Sequence, residues 1–455
     1  MDNLELTLKP RWENNTVADM QIYMSLPVSA LPDKGAELMY CEEGWLCVPF
    51  AVFEDLEITD DLGRIEYMEE EGISIYGIKF KNLCFQRRPE GILKWQYKIF
   101  PRILPEGYRS SPYYDFRSEP FGMNGSGAFA FILPSLEVKF YVRLHWDMSL
   151  MPENARGVWS LGTGDSCWQL DAWRLRNTYF AAGIMNAEEE DEFGIYWYGE
   201  PSFDIRSTTA RLKDMFEYMK RFFHDDNPVY RIFIRRDPFE QSGGGSGALR
   251  SFMIGYHEKS EIDMGNWFCR LAHEMVHNWP RMNDNIVGEG TWYTEGIAEY
   301  YSAVLPYRAG LTDKQETVRQ INNKAKRYLE NIYRELPNME IPKIQWKDRR
   351  AQVVPYGKGF LYLANVEAQL KRLGKGSIDE IAVLYYEDHM MKPEDWEAFI
   401  RERLGEKGIQ EYEDMKAGRL VIPDPDSFGG LFRVKETEIK LDGKTVKSYE
   451  WEVKE

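Results

Sequence analysis

His273-Glu274-Met275-Val276-His277 is the stretch on which the reading of this chain turns. Two histidines at i and i+4 lie on one face of a helix, a turn apart, so their rings converge on one point where a metal ion fits. Glu274, next to the first of them, reaches a water held by such an ion. The surrounding Trp267, Phe268, Leu271, Ala272, Met275, Val276 and Trp279 are apolar enough to bury the helix. Buried imidazoles beside a buried carboxylate are costly unless they bind something. An i,i+4 histidine pair is also a common surface or core pair, so the reading needs support from elsewhere in the chain.

That support lies downstream. Beyond a turn running from Pro280 to Gly290 comes Trp292-Tyr293-Thr294-Glu295-Gly296-Ile297-Ala298-Glu299-Tyr300-Tyr301. Zinc held by two histidines takes a third protein ligand and keeps one position for water. The turn is long enough to reverse the chain and bring Glu295 alongside the histidines. Glu299, one helical turn further, faces the same side and is placed to accept a hydrogen bond from a ligand imidazole. Pro355-Tyr356-Gly357-Lys358-Gly359-Phe360 opens another helix. A phenol there is suited to donate a hydrogen bond to an oxyanion. Taken singly, Glu295 reads as a salt-bridging glutamate and Tyr356 as one core tyrosine among 27.

Together these residues resemble the gluzincin metallopeptidases, specifically the aminopeptidase N group and the related glycyl aminopeptidases. The shared pattern is H-E-x-x-H-x-W, then W-x-x-E-G-x-A-x-Y, then Y-x-K-G. It is matched by His273, Glu274, His277 and Trp279, by Trp292, Glu295, Gly296, Ala298 and Tyr300, and by Tyr356, Gly357, Lys358 and Gly359. The resemblance implies one zinc ion per chain held by His273, His277 and Glu295, with Glu274 as general base and proton shuttle and Tyr356 as oxyanion stabiliser. It implies a peptide substrate, aminopeptidase-like cleavage, and a β-rich domain ahead of a thermolysin-like catalytic domain.

One segment departs from the pattern. Gly247, Ala248, Leu249 and Arg250 stand where the family has its substrate-binding edge strand, and Arg250 replaces the glutamate that grips the substrate's amino group. Either another carboxylate (Glu240, Glu258 or Glu289) takes that role, or the enzyme accepts N-blocked or acidic peptides through Arg250. A non-catalytic metal-containing binding module is the remaining alternative.

Outward from the motifs, texture divides the chain. Runs such as Gln21–Met24, Trp45–Val52, Trp95–Phe100, Phe129–Leu133 and Val138–His145 are rich in aromatic and β-branched residues and are punctuated by turn formers, which predicts strands. Helical spacing begins at Ser207–Phe223, and strands are expected at Val229–Arg235 and Phe252–Tyr256 with a Gly-rich bend between them. Helices are predicted over about 264–279, 294–305, 312–335, 357–372, 377–389 and 393–404, with Pro280 and Pro306 stopping the first two. Asp442-Gly443 predicts a terminal hairpin. The expected fold is a multidomain α+β chain. It has a β-sandwich or saddle-shaped domain over 1–203, a thermolysin-like, mainly helical catalytic domain with a small edge sheet over 204–427, and a β-hairpin segment over 428–455.

Composition excludes several classes. The chain is 43% hydrophobic and 14% aromatic, too rich in core material to be disordered. A formal net charge of −17 repels phosphate backbones and anionic headgroups, so nucleic-acid partners are not expected. No apolar run reaches the roughly 18 residues of a membrane helix, so no membrane insertion is expected. Five cysteines without C-x-x-C spacing predict neither a disulfide framework nor a thiolate zinc cluster. Met1 to Glu5 lacks the features of a secretory signal, which places the chain as written in the cytoplasm, or outside the cell if a signal has been removed. His145, His224, His257 and His389 read as isolated.

Overall fold

The computed structural model describes residues 2–31, 38–44, 48–75, 78–104, 114–238, 244–259, 262–283, 286–345, 347–385 and 390–454. They form two compact units, Met1–Thr209 with Pro228–Glu261, and Ala210–Asn227 with Ile262–Glu455.

The first unit is built of sheets. Alternation is plainest in Lys139–Trp146, where Phe140, Val142, Leu144 and Trp146 are buried and the residues between them are exposed. This strand runs parallel to Asn3–Glu13 and antiparallel to Ser166–Asp171 within a seven-stranded sheet. Asn3–Glu13 turns back into Thr16–Pro27 through Asn14 and Asn15, both with positive φ, a conformation asparagine tolerates and a two-residue hairpin requires. Inner residues of this sheet, among them Leu6, Ile22, Trp95 and Tyr97, join Phe131, Trp159 and Phe180 in one continuous core. A further five-stranded sheet places Phe193–Trp197, Tyr230–Arg236 and Ser251–Tyr256 side by side in parallel, with Gly245–Ala248 antiparallel at its edge.

Phe129–Leu133 departs from its predicted strand. It forms a 3₁₀ turn over Gly127–Phe129 followed by a buried segment whose one β-bridge joins Leu133 to Met39. Side chains of the strand Ile92–Phe100 satisfy the backbone between: Tyr97 donates to the Ala130 carbonyl at 2.9 Å and accepts from Ile132 N–H at 2.9 Å, while Trp95 Nε1 donates to the Ile132 carbonyl at 2.9 Å. Of the Trp45–Val52 run, Trp45–Cys47 lie outside the described residues, and a strand begins at Val52.

The second unit is mainly helical: α1 (Ile205–Phe222, from Ala210 onward in this unit), α2 (Met264–Val276), α3 (Thr291–Arg308), α4 (Lys314–Leu329), α5 (Val354–Leu373) and α6 (Pro393–Lys416). Asp263 and Asp313 cap α2 and α4, each accepting a backbone N–H at 2.8 Å. Pro306 does not stop α3 but sits inside its last turns. Proline removes the N–H that would bond to the carbonyl four residues back, and here the Cys269 thiol donates to that Ser302 carbonyl at 3.3 Å. The helix expected over 377–389 shrinks to Asp379–Ala382, with 386–389 outside the described residues. The one expected over 393–404 runs on to Lys416 across a break at Gly405, whose φ is +66°. The terminal hairpin pairs Phe432–Leu441 with Lys444–Val453 around Asp442-Gly443, and the Trp451 backbone exchanges hydrogen bonds with the Asn322 side chain of α4 at 2.8 and 2.9 Å.

The crossing of α3 and α5 fixes the interior of this unit. A Cβ on Gly359 would lie 1.9 Å from the Trp292 carbonyl oxygen, and one on Gly296 would lie 2.5 Å from the Gly359 Cα. Backbone meets backbone, so nothing flexible can give way. Gly359→Ala is expected to cost about 3 kcal/mol by overpacking, read as a lower denaturant midpoint. Unchanged stability would contradict the close crossing.

Candidate metal centre

The site lies within the second unit, where the end of α2 meets α3 and α5. His273 occupies the last turn of α2 and His277 follows directly as its C-terminal cap, still in right-handed helical conformation. Trp279 fixes this end of the helix: its indole N–H donates to Asp225 at 2.8 Å, and its ring stacks on Phe223 at 4.9 Å and Phe216 at 6.1 Å. The following turn is tied to α3 by the Thr294 hydroxyl, which accepts from Met282 N–H at 3.1 Å.

These constraints bring three donor atoms together. His273 Nε2 and His277 Nε2 are 3.1 Å apart, and Glu295 Oε2 is 3.4 Å from each. An ion bound tetrahedrally at about 2.0–2.1 Å needs its ligand atoms roughly 3.3–3.4 Å from one another, so the triangle matches three corners of a zinc site. Among the described residues, this is the one group of three or more His, Cys, Asp or Glu side chains so arranged. Glu295 Oε2 is buried and accepts no well-aligned hydrogen bond from any described residue, the condition of an atom suited to a cation. Burial pushes the Glu295 carboxyl up, but the two imidazoles outweigh it and hold the acid at about 2. The same carboxylate raises the pKa of His277 against the opposing effect of burial.

Glu274 is 7% exposed. Its pKa is raised, chiefly by desolvation, with the imidazoles of His273 and His277 acting in the opposite direction. Tyr356, in the first turn of α5, stacks against His273 with ring centroids 5.8 Å apart and planes 9° from parallel. Burial, followed by the charges of Glu295 and Glu274, lifts its pKa well above the ordinary value and keeps the phenol a donor. Glu299 Oε1 lies 3.8 Å from His273 Nδ1, beyond hydrogen-bond length, and that buried nitrogen has no hydrogen-bond partner among the described residues.

Glu299 is held from α4. Lys324 Nζ contacts Glu299 Oε2 and also donates to Ser302 Oγ at 3.1 Å, while Arg327 donates to Glu299 Oε1 at 2.5 Å. Although burial opposes it, the two cations hold the Glu299 carboxyl far below the usual range. Sequence reading missed both residues. The available signal was position: Lys324 falls on the stripe formed by Thr317, Ile321 and Tyr328, where α4 is buried. Lys358, matched by motif, is fully buried and anchors the Leu336 carbonyl at 2.7 Å and Asn338 Oδ1 at 3.0 Å; burial lowers its pKa to about 8.

The remaining sequence-named residues belong to other elements. Gly247 and Ala248 are in the edge strand of the first unit, and Leu249 and Arg250 form the turn that follows. Arg250 is 3% exposed with φ +53°, and its carbonyl accepts from Arg231 N–H at 3.0 Å. Of the alternative carboxylates, Glu240 lies outside the described residues, Glu258 pairs with Arg236, and Glu289 lies near Tyr412. His145 pairs with Asp165 at 2.7 Å, and His257 accepts from Lys259 N–H at 3.2 Å. His224 sits at positive φ just after α1, and His389 is not among the described residues.

Replacing Lys324 with Met removes one of the two cations facing a buried carboxylate. The expected loss is about 3 kcal/mol of stability, read by thermal or denaturant unfolding. A change within a few tenths would show that the pair carries little.

Residues 267–353 match the family model of the M61 glycyl aminopeptidases. No curated protein matches the sequence. Solved structures with the same fold include an aminopeptidase N family protein from Idiomarina loihiensis, at TM-score 0.65 and 12% identity, covering 95% of this chain and 79% of that one. A variant of an M1 zinc metallopeptidase from Deinococcus radiodurans, bound to the substrate Tyr-Ser-Ala, matches at TM-score 0.57 and 15% identity, covering 93% and 94%. Yeast LTA4 hydrolase matches at TM-score 0.57 and 14% identity, covering 94% and 69%. In the segment that holds His273, His277 and Glu295 the chain is thus similar to the M61 glycyl aminopeptidases, and in its fold to the aminopeptidase N group of zinc metallopeptidases.

Proposed function

We propose that this chain is a zinc-dependent metallopeptidase with aminopeptidase-like action on small peptides, holding one zinc ion through His273, His277 and Glu295. The observation that carries the reading is the triangle of three donor atoms at 3.1–3.4 Å, with Glu274 beside it in sequence and Tyr356 stacked on His273. The matched family segment and the peptide-bound structural relative support the same substrate class.

Zinc, when bound, supplies Lewis acidity: it lowers the pKa of a water toward neutrality and polarises a carbonyl. Glu274 accepts the proton of the attacking water as the C–O bond forms. With its pKa raised by burial it is suited to return that proton to the amine nitrogen as the C–N bond breaks. Tyr356, kept protonated, donates a hydrogen bond to the carbonyl oxygen as negative charge develops there. Glu299, paired with Lys324 and Arg327, lies 3.8 Å from His273 Nδ1, on the side of the ring away from the donor triangle.

His277→Ala is expected to lose the metal, measured by atomic absorption on purified protein. Glu274→Gln should retain it while turnover of small peptides falls about 10³-fold, and Tyr356→Phe should lose about 10²-fold in kcat. A Glu274→Gln variant that hydrolyses peptides as fast as the parent chain would overturn the assignment.

A further inference from the structure

The terminal hairpin has one covered edge and one open edge. Asp442 and Gly443, both at positive φ, make a two-residue turn, so Leu441 and Lys444 form a hydrogen-bonded pair and bonding alternates from there along both strands. Every second residue therefore turns its N–H and C=O outward. On Lys444–Val453 outward groups are taken: the Asn322 side chain bonds both the N–H and the C=O of Trp451, and Arg334 donates to the Lys447 carbonyl at 2.8 Å. On Phe432–Leu441 the outward residues from Val434 on are Val434, Glu436, Glu438 and Lys440. No described residue hydrogen-bonds their backbone on that side. The strand is ten residues long with no proline and no bulge, a ready template for another strand.

Its charges restrict what that other strand can be. Arg433 pairs with Glu452, Lys435 with Glu450 and Glu452, and Glu436 with Lys447, while Glu438 and Lys440 form no ion pair among the described residues. When two copies meet edge to edge about a two-fold axis, outward residues face outward residues, so one residue lies on the axis. With any of Arg433 to Glu438, or Lys440, on the axis, like charges fall opposite each other. With Ile439 there, each Glu438 faces the partner's Lys440 and each Thr437 faces the partner's Leu441. Glu436 meets the partner's Asp442 only beyond the ladder, in the turn. Ile439 and Val446, half-buried and already opposite each other in the hairpin, then make a row of four β-branched side chains across four strands. Beside it, Lys447, Glu438 and the partner's Lys440 make a row of alternating charge.

We propose that Phe432–Leu441 pairs with the same strand of a second copy of this chain, antiparallel about Ile439, in one continuous four-stranded sheet. The contact is small, so the dimer it holds is reversible.

Sedimentation equilibrium of the full chain tests this, in about 0.15 M salt to screen the long-range repulsion between two negative chains. The apparent mass should rise toward twice that of one chain between low and high micromolar concentration. Glu438 and Lys440 are exposed, so neither substitution disturbs a core. Lys440→Glu and Glu438→Lys each set like charges opposite one another and should stay monomeric alone, yet dimerise when mixed, because the mixed pair restores both contacts. Ile439→Cys, in a chain whose exposed Cys167 is replaced by serine, should join two copies through a disulfide under mild oxidation, since residues on the axis approach closely. A parent chain of constant single mass overturns the proposal, and the open edge then serves another protein's strand or none. So does a dimer that Lys440→Glu leaves intact, a mixture of the two charge variants that stays monomeric, or an Ile439→Cys chain that dimerises without crosslinking.

Discussion

Two imidazole nitrogens and a carboxylate oxygen within 3.4 Å of one another form the constraint on which the second unit depends. Each alone would be content with water or a hydrogen-bond donor. Together, and largely shielded from solvent, their lone pairs are directed at one another and need positive charge to hold them. The attraction between the His277 imidazole and the Glu295 carboxylate supplies part of it, raising the pKa of the one and lowering that of the other against burial. A divalent ion supplies it fully, and the spacing suits one with tetrahedral preference.

Holding that arrangement requires rigid support, and each supporting contact is a sequence choice with a physical cause. Gly296 and Gly359 let α3 and α5 approach closely enough for Tyr356 to stack on His273. Trp279, stacked on α1 and bonded to Asp225, sets where α2 ends. Cys269 satisfies the carbonyl that Pro306 leaves free, and α3 runs on through the proline to Arg308. Glu299 gathers Lys324 and Arg327, which binds α4 to the back of the site. A buried ion pair of this kind stabilises little relative to an apolar replacement but penalises any arrangement that separates its partners.

Much of this is legible in the sequence. The apolar stripe of α2, the turn after Pro280 and the helical spacing from about residue 294 allow His273, His277 and Glu295 to meet on adjoining helices, and the resemblance to the gluzincin metallopeptidases joins them as one set. Alternation in Lys139–Trp146 and the Asp442-Gly443 turn are equally plain, because their periodicity is local. What escapes depends on partners distant in sequence. Phe129–Leu133 has strand composition, yet the side chains of Trp95 and Tyr97 bond its backbone and displace a ladder. The position of Lys324 on the buried stripe of α4 signals burial, but nothing near it in the chain reveals Glu299 opposite. No helix pattern reveals that the Cys269 thiol answers Pro306. Arg250 reads from sequence as a cation at the substrate-binding edge strand, whereas it is 3% exposed, at positive φ in the turn after that strand.

The central claim concerns the identity of three ligand atoms, and X-ray absorption at the zinc edge of the metal-loaded chain tests it most directly. The account predicts two imidazole nitrogens and carboxylate oxygen at about 2.0–2.2 Å, with one imidazole lost from the spectrum of His277→Gln. A first shell containing sulfur, or one with fewer than two imidazoles in the parent chain, would contradict it.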